Sequence, residues 1–158
     1  MLTRRSSQLA LQASLLLALE PAESSRRVRE IAAGLGVPAT YLAKVLQGLT
    51  RAGLLRAVRG PGGGVRLARP ARDIRLWDVL AAVEPVGEFE RCFLGLGECD
   101  DAHPCPLHET WGPIRARLLE MLQARSLGEF AAEAESRGLL EPEKKPGDRL
   151  RRRAGGTR

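Results

Sequence analysis

Three features of this sequence predict a mainly α-helical fold: a winged helix-turn-helix with a small β-hairpin wing and a long C-terminal helix. Two short stretches with helical apolar spacing are joined by a turn at Gly36. A glycine-tipped hairpin pattern follows them at once. A longer amphipathic stretch comes after a loop that holds every cysteine of the chain.

The elements follow in chain order. Residues 6–19 carry Leu9, Leu11, Leu15, Leu16, Leu17 and Leu19 on nearly every side, which predicts a helix buried in a core or between subunits. Pro21 ends it, and residues 22–26 form a polar connection. Val28, Ile31, Ala32 and Leu35 recur at i, i+3, i+4 and i+7, one face of a short helix. Gly36 supplies its left-handed stop. A second helix starts near Ala39, buries Leu42, Val45, Leu46 and Leu49, and closes at Gly53. Residues 54–59 and 65–68 read as strands around the turn Gly60-Pro61-Gly62-Gly63-Gly64. This hairpin is the wing, and Arg56, Arg59, Arg66 and Arg69 flank its tip. Its glycines let the backbone come close to another surface. A nucleotide-cradling loop is excluded, because no Lys-Ser/Thr pair follows the glycines and no helix opens after them.

Leu76, Val79, Leu80 and Val83 mark a further helix that stops before Pro85. Residues 86–106 lose all periodicity. Trp111, Ile114, Leu118 and Met121 then form a three-four pattern that suits a partner helix or packing within the chain. Ser126 and Glu129 match the capping box of a last helix ending near Gly138. Residues 141–158 have no apolar period and read as a disordered basic tail. The expected organisation is a DNA-binding head over 1–84, a cysteine-rich loop over 85–108, a helical pair over 109–138 and the tail over 139–158.

Composition agrees. With 158 residues, 44% of them apolar and 4% aromatic, the chain has room for one core built from Leu, Ala and Val. No apolar run reaches the roughly 18 residues of a membrane span. Gln8, Gln12 and Ser14 interrupt the N-terminal stretch that a secretory signal would need to keep apolar. A cytoplasmic location is therefore expected. The formal charge is +6 and unevenly spread. Residues 1–90 hold 13 basic and 8 acidic side chains, net +5, whereas residues 91–140 hold 5 and 8, net −3. A basic N-terminal half points to a polyanion, here double-stranded DNA.

In a winged helix-turn-helix the second helix enters the major groove and the wing touches backbone or minor groove. The face opposite Leu42, Val45, Leu46 and Leu49 presents Thr40, Tyr41, Lys44, Gln47 and Arg51. The hydroxyls of Thr40 and Tyr41 suit phosphates or base edges, Gln47 suits adenine, and Lys44 suits guanine or phosphate. Arg59, beside Gly62 and Gly63, suits a narrow minor groove.

Cys92, Cys99 and Cys105 fall within 14 residues. An odd number, so confined, reads as a metal or redox site in the cytosol rather than a disulfide framework. With His108 they make a complete four-ligand set for a soft metal centre. The spacing is too wide for the paired knuckle of a zinc finger. It suits a loop folded around a cluster, with Gly95 and Gly97 giving the backbone freedom. Zinc or a thiol switch remains open. A nucleophile–base pair of Cys105 and His108 is disfavoured, since no third residue to orient the histidine is evident.

The helix-turn-helix, the wing Val58-Arg59-Gly60-Pro61-Gly62-Gly63-Gly64, the three-cysteine loop and the helix after it together resemble the Rrf-two-type family of bacterial winged helix-turn-helix transcriptional regulators. The resemblance covers about residues 1–135. Iron–sulfur assembly regulators and nitric-oxide-sensing repressors of that family are nearest in pattern. It implies a homodimeric repressor in which the long helix pairs across a two-fold axis, with a two-fold symmetric operator. It also implies an iron–sulfur cluster, sensing redox, iron–sulfur status or nitric oxide, whose state controls DNA binding. Cys92, Cys99 and Cys105 match the three family cysteines, and His108 matches the histidine completing a [2Fe–2S] site. Gln8 stands near where the [4Fe–4S] nitric-oxide sensors carry an acidic ligand, which favours [2Fe–2S]. Ala43 stands where the assembly regulators have an acidic residue in the recognition helix, so the resemblance does not carry over their target sequence.

Overall fold

The computed structural model describes residues 4–84, 91–97 and 101–140. The elements are α1 (Arg5–Ala18), α2 (Val28–Leu35), α3 (Ala39–Arg51), β1 (Leu55–Val58), β2 (Gly64–Leu67), α4 (Leu76–Ala81), α5 (His108–Ala124) and α6 (Leu127–Ser136). A 3-10 turn at Ala71–Asp73 joins β2 to α4. The mainly helical winged fold expected from the sequence is the fold observed. Of the tail expected over 139–158, Leu140 is instead buried in the core, and residues 141–158 lie outside the described residues.

Helix α1 is the central strut, touching α2, α3, α4, α6 and β2. Leu9, Ala10, Ala13, Leu16 and Leu17 are buried, while Leu11, Leu15 and Leu19 are half-buried against the same core. The helix is thus covered on most sides by its own chain.

Helices α2 and α3 owe their junction to Gly36, whose φ of 66° sets a left-handed cap. Its amide donates to Ala33 O and the Val37 amide to Ala32 O, so the last carbonyls of α2 are satisfied. The start of α2 lacks a Ser or Asp cap. Glu30, three residues in, instead accepts from the Arg27 amide at 3.3 Å. Ile31 and Ala32 on α2 meet Leu42, Leu46 and Leu49 on α3 in one buried cluster.

The wing is an antiparallel pair in the register Leu55↔Leu67, Arg56↔Arg66, Ala57↔Val65 and Val58↔Gly64. Its base is tied to the α1–α2 connection. Arg26 N donates to Val65 O at 3.0 Å and Val65 N to Arg26 O at 2.8 Å. Two glycines answer to crowding inside this joint. A Cβ on Gly64 would sit 2.1 Å from Arg26 O, and one on Gly63 would sit 2.4 Å from Val58 O.

The C-terminal helices close the head. Leu118 and Leu122 pack α5 into the core beside α4. Ile114 and Met121, from the same apolar pattern, are 52% and 50% exposed. The pattern therefore divides: one side serves the chain itself, and the other is left uncovered. Ser126 caps α6 in the expected box, accepting from Glu129 N at 3.2 Å while its own amide donates to Glu129 Oε2 at 2.7 Å. The Leu127 amide donates to Ile74 O at 2.6 Å, which docks α6 against the segment leading into α4.

Candidate nucleic-acid interface and metal centre

The apolar face of α3 is buried at Leu42, Val45, Leu46 and Leu49, and this fixes what its other face shows. Thr40, Tyr41, Lys44, Gln47 and Arg51 all lie exposed there. Arg59 and Gly62 are exposed at the wing tip, and Gly63 is half-buried beneath them. The structure thus brings the eight sequence-selected residues to one helix face and one hairpin tip. Gly62, with φ of 80°, holds a backbone that L residues rarely adopt. Gly63 is demanded by the approach of Val58 O, so the glycines shape the wing from within.

Sequence reasoning missed what steadies the wing. Ser25 Oγ donates to Gly62 O at 3.0 Å, adding a side-chain tie to the Arg26–Val65 pair. Both ties lie far apart in sequence, and no local pattern announces them.

Cys92 and Cys105 come together, their sulfurs 3.5 Å apart. Neither is in a disulfide; Cys92 is buried and Cys105 half-buried. Two thiolates on one tetrahedral ion, with metal–sulfur bonds of about 2.3 Å, stand about 3.8 Å apart. The observed approach is close to that edge. Hydrogen bonds from the backbone at Leu96, then Leu94, hold the Cys92 thiol below its ordinary value, against the opposing effect of burial. The Cys105 thiol and Gly95 backbone add smaller contributions in the same direction. A sulfur surrounded by amide donors is suited to the thiolate that a metal requires.

His108 is the first residue of α5, and its amide donates to Cys105 O at 2.9 Å. Cys105 therefore sits at the positive end of a 17-residue helix, where negative charge is favoured. His108 Nε2 lies 2.8 Å from Asp101 Oδ1. A carboxylate on one ring nitrogen is the usual second partner of a metal-bound imidazole, because it fixes the tautomer that offers the other nitrogen. Asp101 is a partner of His108 that the sequence did not reveal: it lies in the aperiodic loop. Cys99 is outside the described residues, and among those described no group of three metal-binding side chains converges. The Cys92–Cys105 pair fits a thiolate-rich centre in chemistry and in spacing, while His108 does not join it in a three-donor group among the described residues.

Phe93 packs on Trp111 with ring centroids 5.1 Å apart, joining the cysteine loop to the first turn of α5.

A family model described as Rrf2, iron-dependent transcriptional regulator, matches residues 3–133. The chain belongs to the Rrf2 family of transcriptional regulators. The Rrf2 chain is 33% identical over 126 residues to the HTH-type transcriptional regulator IscR of Vibrio vulnificus, covering 80% of this chain and 74% of that protein. It is 45% identical over 102 residues to protein aau3 of Rhizobium meliloti, and the match spans 62% of that relative's length. Its fold is similar to the solved structures of CymR, the global cysteine regulator of B. subtilis, and of T. potens IscR. For CymR the TM-score is 0.71 at 23% identity, covering 83% of this chain and 96% of that one. For T. potens IscR it is 0.70 at 24%, covering 88% and 92%. At such identities these two structures speak for the Rrf2 fold alone. No helix among the described residues is long and apolar enough to cross a membrane.

Proposed function

We propose that this Rrf2 regulator binds double-stranded DNA as a homodimer, and that an iron–sulfur cluster on Cys92, Cys99, Cys105 and His108 controls its hold on a two-fold symmetric operator. The observation that carries the reading is the 3.5 Å approach of Cys92 and Cys105, with backbone hydrogen bonds from Leu96 and Leu94 favouring the Cys92 thiolate. A [2Fe–2S] cluster fits three thiolates and one imidazole. When bound, such a group supplies a centre that responds to redox change, iron–sulfur supply or nitric oxide.

The remaining steps belong to the chain's own residues. The backbone from Leu94 to Leu96 steadies the Cys92 sulfur, and Asp101 sets the His108 ring. Phe93 against Trp111 passes a change in the loop to α5. Ile114 and Met121, uncovered in the single chain, suit the matching face of a second copy. A shift in α5 then alters the spacing of the two α3 helices, and with it the fit to DNA. Coupling of one or two kcal/mol changes affinity about tenfold, enough for a switch. In the operator complex, Thr40, Tyr41, Lys44, Gln47 and Arg51 read the major groove. Arg59, carried by Gly62 and Gly63, reaches the minor groove.

The test is anaerobic purification, a visible absorption spectrum, and iron, acid-labile sulfide and zinc per chain. Iron and sulfide in equal amounts, lost from the Cys92→Ala, Cys99→Ala and Cys105→Ala variants, is the expected result. A colourless protein holding zinc, or no metal after reconstitution, overturns the cluster and leaves the second reading. That reading is the same DNA-binding regulator switched by zinc or by thiols. The short sulfur–sulfur approach favours it next.

A further inference from the structure

The stem of the wing carries a charge arrangement that neither DNA reading nor the cysteine centre uses. Arg56 and Arg66 stand directly opposite each other in the β1–β2 register. Like charges so placed repel and destabilise a hairpin unless an anion lies between them. Glu23, from the α1–α2 connection, takes that place. Its Oε2 bonds the Arg66 Nη1 and lies 3.9 Å from the Arg56 Nη2. Arg66 is only 12% exposed, and its Nε is buried without a hydrogen-bond partner. A buried, unused guanidinium donor is costly, and such donors mark places where a ligand or ion belongs.

This pair opens on a cleft of about 640 Å³ between the end of α1, the wing stem and the turn before α4. The volume is that of a small-molecule site. Arg69, 3.2 Å from Asp78, and Arg72, 4.0 Å from Asp73, add two further cations to its lining, beside the carboxylates of Glu20 and Glu23. Leu17 and Leu67 supply apolar surface. Four guanidiniums around a partly apolar cleft suit a small molecule with two or more anionic groups, because the planar fork matches carboxylate and phosphate oxygens.

We propose that this cleft is an effector site for a small polyanionic metabolite, a phosphate ester or a polycarboxylate, in which Glu23 holds the ligand's place on Arg56 and Arg66 until it arrives. The cleft adjoins the Arg26–Val65 and Ser25–Gly62 ties that fix the wing. Displacing Glu23 therefore acts on the wing directly.

Calorimetric titration of the full chain with inorganic pyrophosphate and with citrate, at constant ionic strength, tests the site. Saturable binding of one of these probes, one per chain, is expected. Glu23→Gln should tighten it about fivefold, the scale of one exposed ion pair. Arg66→Met should weaken it at least tenfold, the scale of a lost charge-assisted pair. Arg56→Met, at a more exposed position, should weaken it in the same direction and guards against misfolding of the first variant. Absence of saturable binding by both probes in the wild type and in Glu23→Gln overturns the proposal, as does binding that survives both arginine variants. Should Glu23→Gln raise duplex affinity while neither probe binds, the arginine pair is a DNA-phosphate contact and the effector site is refuted.

Discussion

Glu84 is buried beneath α1, where Ser7 Oγ donates to its Oε1 across 77 residues of sequence. Arg4 completes the arrangement, its amide donating to Oε1 at 3.4 Å and its Nε lying 3.4 Å from Oε2. Glu84 follows α4, three residues beyond its end at Ala81. The start of α1 is thus pinned to the segment that leaves α4.

Removing that carboxylate leaves the buried Ser7 hydroxyl without its acceptor. Glu84→Ala is expected to lower stability by about 2 kcal/mol, the cost of orphaning a buried donor. Urea unfolding checks this. Ser7→Ala together with Glu84→Ala should cost less than the sum of the single changes. Additive losses would show that the two residues do not act together.

The face of α3 and the wing tip make separable predictions. Lys44→Ala and Arg59→Ala should each weaken duplex binding and lower the slope of log affinity against log salt by about one. Gln47→Ala should relax base preference while leaving that slope unchanged. Titrations at several salt concentrations distinguish the two kinds of loss.

The capping box of α6 makes stability depend on pH. The Ser126 amide first, then its hydroxyl, holds the Glu129 carboxyl below its ordinary value. Glu133 is lowered as well, first by its hydrogen bond from Arg125 and then by the charge of Arg137. A carboxyl lowered on folding contributes stability that is present above its unfolded value. That stability is lost as pH falls through the folded value. Glu129→Gln should therefore unfold at lower urea than the wild type at neutral pH, and the gap should close in acid. A gap that persists in acid would assign the effect to packing.

The uncovered side of α5 predicts self-association. Ile114→Glu places a charge at an exposed position, so the single chain should keep its helical circular dichroism. Sedimentation should then show a shift from dimer to monomer. An unchanged dimer would place the interface elsewhere.

The head of the molecule was legible where local chemistry decides structure. Val28, Ile31, Ala32 and Leu35 announce α2 by period, Gly36 announces its end, and Ser126 with Glu129 announces α6. The wing was legible because residues 60–63 fit neither helix nor strand, whereas Gly64, expected in the turn, opens β2 opposite Val58. What escaped sequence reading is long-range. Arg26 meets Val65, and Ser7 meets Glu84, only once α1 is packed. Asp101 meets His108 inside a loop without period. The α5 stripe showed that one face was apolar. Only the fold shows that Leu118 and Leu122 are used internally while Ile114 and Met121 are left over.

The most direct test of the central claim is fluorescence anisotropy on a duplex selected from a random library by the anaerobically purified protein. Affinity is measured for the loaded protein, the stripped protein and a variant with Cys92, Cys99 and Cys105 all changed to Ala. The account predicts that loaded and stripped forms differ about tenfold or more, and that the triple variant behaves as the stripped form under every condition. Equal affinity in all three would contradict it and leave the wing and α3 binding DNA without control from the cysteine loop.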